Sequence, residues 1–257
     1  MIAFLDDIAK AAIPESWRYK NKQSKINHPI LKSYLETIFI KLKKEDKIIK
    51  SADGKYVIFN TNLLDKFFHA IYIIAEVQEA EGLEVYIRPK RTAEESFLLF
   101  KKHGFSENVK PLPPIFFEDI NEVIFNPSWN IDKNYDSLTH IIEDRSERFP
   151  AEMKSKPSHS LAKKLYDAID YAVAIAQRNY KYIVPIYYPK CNRISFLMPI
   201  FLEGTYNTYP DFALVLQPDA ENQMYIARTI LDLETGYQDA RLVAKPDESW
   251  LNPVTLK

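Results

Sequence analysis

The sequence predicts an α+β fold: an N-terminal winged-helix-like helical part, followed by a helix and a C-terminal antiparallel β-sheet. Three observations carry this prediction. Ile30, Leu31, Tyr34, Leu35, Ile38, Phe39 and Leu42 recur at the three-and-four spacing that buries one face of a helix, and two short apolar runs joined by Asp53 and Gly54 follow them. Leu161, Leu165, Ile169, Val173 and Ala176 form a second stripe of the same kind. From residue 182 the pattern changes to four runs of strand length, rich in β-branched and aromatic residues. With 257 residues, 46% hydrophobic and 27% charged, the chain suits one large domain or two small ones. The reading places the winged-helix-like part at 1–75 and an α+β core domain at 76–257, packed as one compact unit.

Each element has its own signal. Pro29 suits a first helical turn, and "KIIKSADGKYVIF" reads as a hairpin. Helix then hairpin is the winged-helix order, which serves nucleic-acid and protein contacts alike. "LLDKFFHAIYIIAEVQE" reads as a second apolar helix or a strand-helix junction, with His69 as a core or boundary histidine. Pro111, Pro113 and Pro114 exclude a helix from a crossing segment whose Ile115, Phe116 and Phe117 need burial. A helix over 138–149 would give His140, Asp144, Arg145 and Arg148 a shared face and end at Pro150. Ser158 or Ser160 can cap the next helix, whose negative C-terminal end favours Arg178 and Lys181. "YIVPIYY", "RISFLMPIFL", "DFALVLQ" and "MYIARTILDL", with short connectors, form an antiparallel meander. A last amphipathic helix, "ETGYQDARLVAK", brings Tyr237 and Arg241 to one face.

Composition excludes several function classes. No segment has the form of a signal peptide or of a run that could span a bilayer, so the expectation is a cytoplasmic protein without a membrane partner. The single cysteine, Cys191, rules out an internal disulfide framework, and no Cys/His set has zinc spacing. Cys191 lies between Lys190 and Arg193, a setting of the kind that can activate a thiol, but a turn cysteine with chance neighbours is the favoured reading. Asp211 and Asp232, at strand ends, have no further ligands at metal spacing and read as turn formers. Ser195 sits in an apolar strand with no glycine elbow. Five glycines leave no phosphate-binding loop. No metal and no cofactor is therefore expected. Charge is unevenly distributed: residues 1–60 carry 12 basic and 7 acidic side chains, and 151–200 carry 8 and 3. If the basic segments meet, they suit a polyanion; solvated lysines on helix faces account at least as well for 1–60, but less well for 151–200, where the cations flank aromatics.

"PESW", "FNT", "HIIEDRSERFP", "RNYK", "P.YYPK", "DFALVL", "TILDLETGYQDARLV" and "KPDESWL" together resemble the bacterial family catalogued as domain of unknown function 3825, over nearly the whole chain. One departure is Asn62, where the family pattern typically reads glycine; asparagine also tolerates a left-handed backbone. The resemblance implies a nucleic-acid context, because relatives resemble proteins joined to cold-shock-type RNA-binding modules. RNA is thereby favoured over DNA. The order of helix then antiparallel sheet also resembles small metal-independent ribonucleases and toxin nucleases.

Metal-free RNA cleavage needs a base, an acid and cations for the phosphorane. The candidates are His140, Arg178, Tyr237 and Arg241 as catalytic residues, with His140 or Tyr237 carrying the proton, and Lys181, Tyr188, Lys190 and Lys245 as substrate-binding residues. Whether the chain is an enzyme stays open. The same residues suit a non-catalytic RNA- or single-strand-binding module, with tyrosines stacked on bases. A protein-interaction scaffold, with Arg178 and Arg241 paired to Asp144, Glu147 or Asp247, is the third reading. An exposed edge of the meander would allow a homodimer.

Overall fold

The computed structural model describes residues 2–19, 24–80, 83–93, 97–133, 135–189, 191–203, 209–246 and 249–251. The fold is α+β, with two β-sheets, and the chain divides into two units, Met1–Ile115 and Phe116–Lys257. The boundary expected near residue 75 falls inside a strand.

In the first unit, α1 (Ile2–Ala11) and α2 (Pro29–Lys44) precede β1 (Ile49–Lys50), β2 (Tyr56–Leu64), β3 (Ala70–Ala80) and β4 (Leu83–Ala93), with α3 (Phe97–Lys102) after them. The strands form an antiparallel meander in the order β1-β2-β3-β4. The α2 stripe is buried as its spacing requires, and Pro29 opens the helix where a missing N–H costs nothing. At the β1–β2 turn, Asp53 Oδ1 accepts from Ser51 Oγ at 2.7 Å and from Lys55 N at 3.1 Å, while Gly54 takes φ +72°. The hairpin is thus present, but it does not form a wing. It is the short edge of a four-stranded meander, so no winged helix is found among the described residues.

A second correction concerns residues 63–79, expected as a helix or strand-helix junction. They form the end of β2, a turn, and β3. The run Ile71–Ala75 is buried throughout, and a continuous apolar run reads alike for a buried strand and a buried helix. Three isoleucines and the turn-forming Asp65 decide for the strand. The proline-rich segment closes the unit: Asn60 Nδ2 donates to Pro111 O at 3.0 Å, Lys47 Nζ donates to Pro113 O at 2.9 Å, and Glu45 accepts from Ile115 N. Ile115 itself stays exposed, against expectation, because its backbone is what anchors it. Asn62 takes φ +58°, the left-handed conformation expected of it, and Asn60 Oδ1 accepts from its N–H at 2.8 Å.

The second unit runs β5 (Asn130–Asp132), α4 (Tyr135–Asp144), α5 (Ala151–Lys154), α6 (Ser158–Ala176), β6 (Val184–Tyr188), β7 (Arg193–Ile200), β8 (Phe212–Asp219), β9 (Met224–Leu231) and α7 (Leu233–Val243). The predicted meander β6 to β9 forms with antiparallel pairing throughout. The sheet as a whole is mixed, because β5 pairs in parallel with β9 to give the order β5-β9-β8-β7-β6. Three residues in a polar loop carry no period from which β5 could be read. The helix expected over 138–149 stops at Asp144 and tightens into a 3-10 turn at Ser146–Arg148. Helix α6 starts at Ser158 behind Pro157, so neither serine supplies a side-chain cap. Its stripe is buried at Leu161, Leu165, Ile169 and Ala176.

Strand register fixes two faces of this sheet. Val184, Ile186 and Tyr188 share a face with Leu197, Val215 and Thr229; Tyr187, Phe196, Leu216, Ala227 and Tyr225 lie on the other. Helix α7 covers the first face. A Cβ at Gly236 would stand 3.0 Å from Leu197 Cδ1, so glycine is what permits this close approach.

Candidate functional site

The face opposite α7 carries an open groove of about 820 Å³. Its floor is a cluster of rings. Phe125 stacks on Tyr225 with centroids 4.6 Å apart and planes at 21°, Phe196 meets Tyr225 edge-on at 5.6 Å, and Trp129 lies 5.3 Å from Tyr225. Tyr225 is buried, and its hydroxyl accepts from Asn126 N at 2.8 Å, which ties the loop bearing Trp129 to the sheet. Burial raises the Tyr225 pKa above its ordinary value, so the phenol stays neutral.

The opposite wall comes from the end of α6 and the residues after it: Ala176, Gln177, Arg178 and Tyr180. Arg178 Nη1 donates to Ala174 O at 2.6 Å, capping the last turn of α6, while the side chain lines the groove. Arg193, exposed at the very start of β7, is the register partner of Tyr188 and leaves the sheet on the α7 side, but at this strand end it also lines the groove. Glu122 is the one carboxylate among the lining residues described, and its Oε1 is held by the N–H groups of Glu118 and Asp119. Phe125, Phe196 and Tyr225 are themselves buried, so the half-buried Trp129 and the exposed Tyr180, with the two arginines, are what can meet a flat ring and an anionic group together.

A second polar neighbourhood lies on the α7 face. Burial, together with Cys191 and Asp239, raises the Tyr188 pKa, and Arg148 and Arg145 oppose that rise, so these groups act on one tyrosine. Arg148 Nη1 donates to Ile230 O at 2.6 Å and to Thr229 Oγ1 at 3.3 Å. Arg145 Nη1 donates to Asp144 O at 3.1 Å, while its enclosed Nε has no acceptor among the described residues.

A family model described as Domain of unknown function (DUF3825) matches residues 8–250. The chain belongs to this family. No curated protein and no solved structure matches it. In this DUF3825 chain the segments 140–150, 185–190 and 229–243 supply Arg145, Arg148, Tyr188, Thr229 and Asp239 to the α7 face, whereas segment 178–181 supplies Arg178 and Tyr180 to the groove.

The residues singled out from the sequence are therefore spread over several places. Arg178 lines the groove. His140 stands exposed on α4 with Nδ1 2.5 Å from Asp144 Oδ2, and Tyr237 is buried in α7. Arg241 is half-buried on α7, Tyr188 is half-buried beneath that helix, and Lys181 and Lys245 are exposed. Lys190 lies outside the described residues. The scaffold pairings are partly answered: Asp144 takes His140, Glu147 takes Arg148, and Arg178 takes a backbone carbonyl. Asp211 accepts from Leu202 N and Asp232 caps α7 through Thr235 N, so both aspartates shape backbone. Sequence reasoning missed Phe125, Trp129, Arg193 and Tyr225 as groove residues. Trp129, in a loop between Pro127 and β5 with no apolar period around it, was the available signal.

Proposed function

We propose that this chain binds single-stranded nucleic acid, RNA in preference to DNA, in the groove of its second unit, with bases against the Trp129 and Tyr180 rings and phosphates on Arg178 and Arg193. The observation that carries this reading is the pairing of a ring-lined floor with two exposed arginines whose nearest lining carboxylate is already occupied. Base stacking contributes roughly 1 to 3 kcal/mol per base and tolerates any sequence. Two phosphate contacts imply a shallow salt dependence, a log–log slope of about −1.4 for a single strand.

Fluorescence anisotropy with labelled oligonucleotides tests it. Arg178→Ala and Arg193→Ala should each weaken binding and flatten the salt slope by about 0.7. Equal affinity of wild type and the double variant would refute the reading, and tighter binding of DNA than of RNA would refute the preference.

Metal-independent RNA cleavage is the second reading, favoured by Tyr188 lying under the influence of Arg145 and Arg148. It predicts product that vanishes in Arg148→Ala protein and withstands chelator. Absence of product from single-stranded and structured RNA alike would leave binding alone. A homodimer through the β6 edge is disfavoured by Pro185, which has no N–H to offer a partner strand.

A further inference from the structure

Glu122, the one carboxylate among the described residues lining the groove of the second unit, is not free to turn. It closes a capping box on the 3-10 turn Ile120–Val123, where its Oε1 accepts from Asp119 N at 2.9 Å and from Glu118 N at 3.1 Å. Two donors fill the lone-pair sites of that oxygen. Oε2 has no donor, and Glu122 forms no ion pair, among the described residues. Tied through Oε1 to the backbone of its own turn, the side chain holds Oε2 as a positioned acceptor. The turn does not account for the charge, because a neutral glutamine serves a capping box equally. In a groove whose arginines meet phosphate, a fixed anion repels the strand and weakens binding unless a donor of the ligand meets it.

The bases differ in what they offer such an acceptor. On its Watson–Crick edge guanine carries two adjacent donors, N1–H and the 2-amino group, whereas adenine, cytosine and uracil each set one donor beside an acceptor. An anionic oxygen therefore gains two charge-assisted bonds from guanine and meets a repelling lone pair on the other three. The amides of the lining do not compete for this role. Asn121 Nδ2 donates to Asp119 at 2.9 Å, and Asn126 Oδ1 accepts from Ser128 N at 3.0 Å and from its Oγ at 2.7 Å. Gln177 makes no side-chain bond among the described residues, but its amide both donates and accepts, so it suits every base edge and selects none.

We infer that Glu122 makes the groove selective for guanine, with Oε2 accepting from N1–H and the 2-amino group of a base that meets the Trp129 or Tyr180 ring. The inference rests on the RNA-binding reading above and names the base that the same groove takes. Fluorescence anisotropy with six-nucleotide strands tests it. A uridine hexamer carrying one guanosine should bind roughly 10-fold more tightly than the all-uridine strand or strands with adenosine or cytidine in that place. Inosine, which lacks the 2-amino donor, should recover only part of the gain. Glu122→Gln keeps the acceptor that the turn uses and turns an N–H outward in place of Oε2, so the loop persists. That variant should lose the guanine preference and bind the all-uridine strand at least as well as wild type. Arg178→Ala should weaken every strand and leave the preference intact. Equal binding of all strands by wild type overturns this inference and leaves the groove standing, as does a preference that Glu122→Gln protein retains in full. Inosine matching guanosine would assign the selectivity to stacking and overturn it too, a comparison that needs no variant to fold. Failure of wild type to bind any strand overturns both readings.

Discussion

Two groups of aromatic rings, the groove cluster of the second unit and the β2–β3 turn of the first, are held in opposite ways. In the second unit, rings pack against one another, and only the rim of their cluster meets solvent. In the turn between β2 and β3 of the first unit, Phe67 and Phe68 stand outward, Phe68 at φ +65°, against the preference of a bulky L-residue. Packing can hold a recessed ring in place without strain, whereas Phe67 meets, among the described residues, only the His69 ring at 6.1 Å and Lys66 Nζ at 4.9 Å, and the exposed Phe68 depends on the backbone. The prediction of largest effect follows. Tyr225→Ala should cost the second unit about 3–5 kcal/mol, the range for removing a large buried aromatic, while Phe67→Ala should stay within about 0.5 kcal/mol. Urea denaturation measures both, and comparable losses would break the contrast.

A smaller effect sharpens the backbone side of it. Asn62 and Phe68 both sit at positive φ, one with a residue suited to it and one without. Asn62→Val should destabilise the first unit by roughly 1–2 kcal/mol, and Phe68→Asn should stabilise it by up to about 1 kcal/mol. If Phe68→Asn destabilises instead, the Phe68 ring has a structural role that outweighs its backbone strain.

Much of the fold was legible because period survives burial. The α2 and α6 stripes and the meander from β6 to β9 follow from spacing alone. Residues 63–79 did not, because Ile71, Tyr72, Ile73, Ile74 and Ala75 are buried without alternation and so carry neither period. Strand β5 was hidden by its length. The site was less legible than the fold. On strand β6 the alternation sends Tyr187 to the ring-lined side and Tyr188 beneath α7, so Arg178 and Tyr188, from two neighbouring segments, end on opposite faces of one sheet. Which residues gather around Tyr225 depends on how the 121–129 segment folds back onto the sheet, and that rests on long-range contacts, the packing of Phe125 on Tyr225 and Phe196 and the hydrogen bond from Asn126 N to the Tyr225 hydroxyl, that no apolar period announces.

The smallest effect is electrostatic and lies at one end of β8. Glu203 accepts from Lys156 Nζ at 2.7 Å and Lys164 Nζ at 2.8 Å, which lowers its pKa from 4.5 to about 2. Asp211 moves the other way: burial raises it above 3.8, the Leu202 N–H opposes this, and the charges of Glu152 and Glu203 add to the rise. The ordinary order, aspartate below glutamate, is therefore inverted, and NMR titration should find Glu203 losing its proton at lower pH than Asp211. The signs for stability also differ. The Glu203 contribution is present above its unfolded value and is lost as pH falls toward about 2. The Asp211 contribution is present below 3.8 and is lost as pH rises through its folded value, because ionisation then occurs in a buried setting. Lys164→Met should move Glu203 back up, and Glu203→Gln should move Asp211 down. An unmoved Asp211 in that variant would mean that burial alone sets its titration and that the two carboxylates act separately.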